Sequence, residues 1–329
     1  MNSKLRECNQ LSQFTGSTLV EASPPPTIGH PPDMNRVLLN SDGQAIGACS
    51  IWWRHTPAYR DQSVGYVGHF WAEGSFAARQ LLQQACRDLA RAGCSLALGP
   101  IDGSTWNNYR AVTESSDAPP FFLEPQHPAS LTEYFLENGF SSELNYFSAL
   151  DQQLAGMDPL ARRVAAEMNS LGITLRPFRL DDFSGELLRL HALATDCFRS
   201  HDLFSELHAQ DFLRLYQPLR PAICPELILI AERDAVPLGF AFAVPDLFER
   251  QRTGAARTVI LKTLGVLPDR ATAGLGYHLL SEMRRQASAI GFQRMILALM
   301  RDTLYFSRRQ FQLGTPFRRY GLFARKLSP

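Results

Sequence analysis

The chain has almost no excess of charge: 33 Lys and Arg stand against 32 Asp and Glu in 329 residues, a net charge of +1. No bulk field draws a polyanion, which argues against nucleic acid or an anionic membrane surface as partner. No apolar run reaches the roughly eighteen residues that a membrane-spanning helix needs, and the N-terminal MNSKLRECNQLSQ lacks the apolar core of a secretory signal. A cytoplasmic address is the expectation. The six cysteines form no CxxC pair and none has histidines at metal-ligand spacing, so no metal site is expected and they read as reduced core thiols. What is present, 45% hydrophobic and 20% charged residues, suits a folded chain rather than a disordered one. At about 150 residues per domain, the length suggests two.

Residues 1–34 carry the proline cluster ASPPPTIGHPP and read as an extended strap. Beyond it come the hairpin RVLLN–SDGQ–AIGACSIWW, the strand SVGYVGHFWA, the helix FAARQLLQQACRDLARAG closed by Gly93, and the strand CSLALGPID. A short helix, SLTEYFLENGF, then leads into the strand LNYFSAL. The helix MDPLARRVAAEMNSLG, with Asp158 as cap and Pro159 in its first turn, is expected to link two domains. The same order then returns, preceded by the strand ITLRPFRL and two helices that the first half lacks. The chain therefore reads as an α/β protein with a diverged internal duplication. The boundaries are a strap over 1–34, a truncated domain over 35–150, a linker helix over 151–172 and a complete domain over 173–329.

The stretch TLGVLPDRATAGLGYHLL is the most informative. A strand ends at Pro268, a loop carries Arg270, and Gly274 and Gly276 stand where a helix begins. Unpaired first-turn amides at such a junction suit an anion, and glycine lets it approach the backbone; a tight turn before a packed helix is the plainer alternative. Val266, Pro268, Arg270, Gly274 and Gly276 resemble in type the signature of the GNAT superfamily of acyl-CoA N-acyltransferases. The resemblance covers 173–327 well and 36–150 loosely, which suggests a tandem GNAT protein of two mixed-sheet domains, the first truncated. It implies that acetyl-CoA or another acyl-CoA is held by Leu264, Val266, Arg270, Ala271, Thr272, Ala273, Gly274, Leu275 and Gly276. The arginine is displaced by one place, because Ala271 occupies its usual position. The first half offers FWAEGSFAARQLL instead, with Glu73 unfavourable to phosphate, so one cofactor site is expected.

The resemblance further implies acyl transfer to an amine of a small molecule or peptide. The usual tyrosine acid falls at Gln310, and the usual carboxylate on the central strand falls at Lys262. Tyr305 is the nearest phenol and Tyr320 lies on the last strand. The loop CFRSHDLFSELHAQDF supplies His201 as a base and Asp202 beside it; a solvated polar loop is the alternative. In the first half, Asp102, Trp106, Asn108 and Tyr109 of GPIDGSTWNNYR sit where loops after strands bind ligands, or else simply cap a helix. Catalytic expectations thus rest on Tyr305 and His201. A member that binds acyl-CoA or a protein without catalysis is the competing reading.

Overall fold

The computed structural model describes residues 17–21, 23, 27–154, 159–269, 272–302 and 314–328. The first half contributes β1 (Thr18–Glu21), β2 (Met34–Leu39), β3 (Ala45–Trp52), β4 (Val64–Ala72), α1 (Gly74–Arg91), β5 (Leu96–Gly99), β6 (Ala111–Ser115), α2 (Ser130–Glu137) and β7 (Ser141–Asp151). The second contributes α3 (Pro159–Ser170), β8 (Thr174–Pro177), α4 (Phe183–Phe198), α5 (Ala209–Tyr216), β9 (Ile228–Arg233), β10 (Val236–Pro245), α6 (Leu247–Thr253), β11 (Thr258–Val266), α7 (Leu275–Ala289), β12 (Arg294–Arg301) and β13 (Thr315–Lys326). The expected cap Asp158 and the expected short helix over 307–313 lie outside the described residues. The strap is not wholly irregular, since Thr18–Glu21 pairs antiparallel with Arg36–Leu39.

Local chemistry accounts for the elements. The β2–β3 turn is closed by the Asn40 side chain, whose Oδ1 accepts from the amides of Asp42 at 3.0 Å and Gln44 at 2.9 Å. At the β9–β10 turn Asp234 and Ala235 both take positive φ, which matches the strand twist as a tight hairpin turn requires. Helix α1 buries Ala77, Ala78, Leu81, Leu82, Ala85, Cys86 and Leu89, a stripe at helical spacing; α7 buries Leu275, Leu279, Met283 and Ala287 likewise.

Among the described residues thirteen strands form one mixed sheet in the order β1-β2-β3-β4-β5-β13-β7-β12-β11-β10-β9-β8, with β6 pairing a further stretch of β13. Among these strand pairs β4–β5 and β11–β12 are parallel and the others antiparallel. The two halves exchange their last strands: β13 pairs with β5, and β7 pairs with β12. The exchanged strands run antiparallel to each other, from Thr315 opposite Leu150 to Ala324 opposite Ser141. Each half's sheet is thus completed by the other, which couples them through the backbone.

Both parallel pairs part company midway. Strand β4 pairs with β5 only over Val64–Tyr66, although it runs on to Ala72. Strand β11 pairs with β12 only from Thr258–Leu261, although it runs on to Val266. In the first half the chain itself fills the gap: the Ile101 amide donates to the Val67 carbonyl at 2.9 Å, and the His69 amide donates to Asp102 Oδ1 at 2.6 Å. A Cβ on Gly68 would lie 2.1 Å from the Ile101 carbonyl oxygen. Gly68→Ala is therefore expected to destabilise by about 1–3 kcal/mol or more by overpacking, read as a lowered urea midpoint; an unchanged midpoint would mean that the plug is loose.

Candidate active site

In the second half the residues after Leu261 on β11 and after Leu297 on β12 make no pairing with each other. At the mouth of this cleft a loop leads into α7. Buried Thr272 closes the loop by donating its hydroxyl to the carbonyls of Leu267 at 3.0 Å and Asp269 at 2.7 Å. Gly274 caps α7 in the left-handed region at φ 92°, which glycine adopts without strain. A Cβ on Gly276 would lie 3.4 Å from Leu264 and 3.7 Å from Val266, so the first turn of α7 rests on the stretch of β11 that has parted from β12. Helix α3 backs the same turn, with Val164 3.4 Å from a Cβ placed on Gly274. The structure thus brings Leu264, Val266, Thr272, Ala273, Gly274, Leu275 and Gly276 together at one strand–helix junction, where first-turn amides have no partner within the helix. Arg270 and Ala271 lie outside the described residues.

The two loops singled out in the sequence meet each other. The Trp106 indole donates to the Ser205 carbonyl at 2.8 Å and stands edge-on to Phe204 and Phe212. The Asp102 carboxylate is held against β4 by the His69 amide, and the Asn108 carbonyl accepts from the Asp102 amide at 2.9 Å. Tyr109 stacks on the Arg110 guanidinium, 3.8 Å from its carbon to the ring centre. Asp202 pairs with Arg301, the last residue of β12, at 2.6 Å. His201 packs edge-on against Phe198; desolvation first, and then the Arg301 charge, lowers its imidazole below the ordinary value against the pull of Asp202. Tyr305 lies outside the described residues.

Sequence reasoning missed a buried polar cluster under the cleft. Glu124, from the loop between β6 and α2, accepts from Arg318 Nη1 at 2.6 Å and from the Tyr320 hydroxyl at 2.5 Å, both on β13. Ser148 on β7 joins the Tyr320 hydroxyl at 3.0 Å and accepts from the Leu299 amide of β12 at 3.0 Å. Burial pushes the Glu124 carboxyl up, opposed by Tyr320 and Arg318. Lys262, in the register where the family resemblance implies a carboxylate, donates to the Leu123 carbonyl at 3.3 Å. Its ammonium is pushed down to about 7, chiefly by burial and also by Arg110, against the pull of Glu124. Only FFLEP, one acid amid aromatic residues, hinted at Glu124, and it named no partner.

The depressed Lys262 has a consequence for stability. Between its ordinary 10.5 and about 7 the unfolded chain binds a proton that the folded chain does not, so stability falls across that window as the pH drops and stays lowered below it. Lys262→Met is expected to stabilise the protein at pH 7, with the gain vanishing by about pH 10.5. Urea unfolding of both proteins at pH 7 and pH 10 checks this, and an equal gain at both values would contradict it.

No protein-family model matches the chain, and no curated protein does. Solved structures do. The GCN5-related glucosamine N-acetyltransferase region of a fungal multi-domain GH3 β-N-acetylglucosaminidase matches with a TM-score of 0.53 at 12% identity, covering 89% of this chain and 33% of that one. The chain thus spans a third of the fungal enzyme's length. A GCN5-related N-acetyltransferase from Sphaerobacter thermophilus matches at 0.49 and 14% identity, covering 90% and 81% of the two chains. A tandem GNAT protein from the clavulanic acid biosynthesis pathway matches at 0.47 and 12% identity, covering 95% and 99%. The chain has the α/β fold of the GNAT superfamily, as the strand–loop–helix residues around Gly274 imply.

Proposed function

We propose that the protein is an acyl-CoA-dependent N-acyltransferase that uses acetyl-CoA or another acyl-CoA and acylates an amine of a small molecule or peptide. The observation that carries this reading is the contrast between the two strand partings. The one in the second half is flanked by the Gly274–Gly276 helix start, whereas the one in the first half is filled by Ile101 and Asp102. Acyl-CoA supplies an activated acyl group whose thioester carbonyl the amine attacks, the carbon–sulfur bond breaking as the carbon–nitrogen bond forms. The amides of Ala271 to Gly276 are the proposed donors for the pyrophosphate, with Arg270 contributing positive charge. The unpaired edge of β11 from Thr263 to Val266 offers backbone groups to the pantetheine arm.

His201, exposed on its loop and held below the ordinary imidazole value, takes the proton that the amine loses. Tyr305 is the proposed donor to the departing sulfur. Trp106, Tyr109, Asn108, Asp102 and Asp202 frame the acceptor side, where loops of both halves meet. The test pairs calorimetric titration of acetyl-CoA with thiol release over an amine library. Binding with release supports the full reading. Binding without release leaves a non-catalytic acyl-CoA binder, and no binding overturns both.

A further inference from the structure

Among the described residues, buried aspartates, glutamates and arginines come with charged partners, with one exception. Asp88, Glu124, Asp151, Glu186, Asp246 and Glu249 are each buried with an arginine at 3.8 Å or less. Arg318 is the partner of Glu124. Arg110 is 4% exposed and, among the described residues, has no carboxylate at all. Its Nη1 donates to the Leu299 carbonyl at 2.8 Å, and its Nε has no partner. The rings of Tyr109 and Tyr146 pack against it at 3.8 and 3.9 Å, edge-on to each other. Such stacking returns about 2 kcal/mol when desolvated, less than the several kcal/mol that an unpaired buried ion costs.

Position gives the exception its meaning. Leu299, to which Arg110 is tied, lies on β12 beyond Leu297, the last residue paired with β11. Lys262 is the first residue of β11 beyond the same pairing. The two cations therefore stand on the two walls of the cleft. The nearby Glu124 is already engaged by Arg318 and Tyr320. Its Nε–H has no partner, which leaves an in-plane N–H edge of the guanidinium unengaged. That edge matches a planar acceptor with two oxygens.

We infer that Arg110 and Lys262 together receive a carboxylate carried by the substrate that enters the second half's cleft. The inference rests on the acyl-transfer reading for the identity of the cleft. The carboxylate belongs either to the acceptor amine or to a dicarboxylic acyl chain, and the experiment separates the two sources. With coenzyme A present, dissociation constants are measured for a panel of α-amino acids against their carboxamides. In parallel, succinyl-CoA is compared with butyryl-CoA.

The wild type is expected to prefer the carboxylate in one of the two arms by tenfold or more. Arg110→Gln and Lys262→Met should each cut that preference at least tenfold, while the affinity for coenzyme A itself stays within twofold. No preference in either arm, or a preference that survives both substitutions, overturns the inference and leaves Arg110 as a clamp between the halves. Should Arg110→Gln not fold, the wild-type preference and Lys262→Met decide. If coenzyme A does not bind the wild type, the acyl-transfer reading fails. The amino acid arm, repeated without it, still tests the carboxylate site.

Discussion

Glu124→Ala is expected to cost about 3–5 kcal/mol of folding stability, the range for removing one partner of a buried ion pair. The Glu124 and Arg318 side chains are only 1% and 4% exposed, so neither can recover its hydration when the other goes. The same change strips an acceptor from the Tyr320 hydroxyl and from the Phe121 amide. Because Glu124 comes from the first half and its partners from the last strand, the loss falls on the joint between the halves. Urea unfolding measures it. Combining Glu124→Leu with Arg318→Met should recover part of the loss, since no uncompensated charge then remains buried. A single substitution costing under 1 kcal/mol would show that water reaches the cluster.

Gly276→Val is expected to weaken coenzyme A binding at least tenfold, about 1.4 kcal/mol, with the fold retained. A Cβ there makes ordinary contacts with Leu264 and Val266, so the backbone tolerates it. Its branches, however, occupy the space between the first turn of α7 and the unpaired edge of β11, where phosphate must approach the amides. Gly274→Val should both weaken binding and destabilise, because φ is 92° there. The control is Gly74, at the corresponding helix start of the first half. It has φ 85°, and a Cβ placed on it would meet nothing within 4 Å, so Gly74→Val carries backbone strain but should leave coenzyme A affinity nearly untouched. Loss of binding in the Gly74 variant with retention in the Gly276 variant would place the cofactor in the other half.

Local pattern carried the reading of the strand-to-helix loop before α7 and of the helices around it. Gly274 and Gly276 mark a strand-to-helix junction in the sequence, and the apolar stripes of α1 and α7 repeat at helical spacing. The repeated order of elements was legible for the same reason. The exchange of β7 and β13 was not, because pairing residue 150 with residue 315 is a choice among edges that no local pattern states. The plug over Gly68 depends on a contact some thirty residues away, and the Glu124 cluster gathers a loop acid with residues nearly 200 positions later. Long-range polar contacts of this kind leave only isolated residues in the sequence, each readable as an ordinary loop or strand position. Arg110 closes GPIDGSTWNNYR, a segment marked as a ligand-binding loop or a helix cap, yet its isolation from any carboxylate became visible only in the fold.

On the proposed reading, the cleft of the second half takes an acyl-CoA and that of the first half is filled by its own chain. Calorimetric titration of coenzyme A into the wild-type protein tests it most directly, through the stoichiometry. One molecule per chain, lost in Gly276→Val and kept in Gly74→Val, is the predicted result. Two molecules per chain, or none, would contradict it.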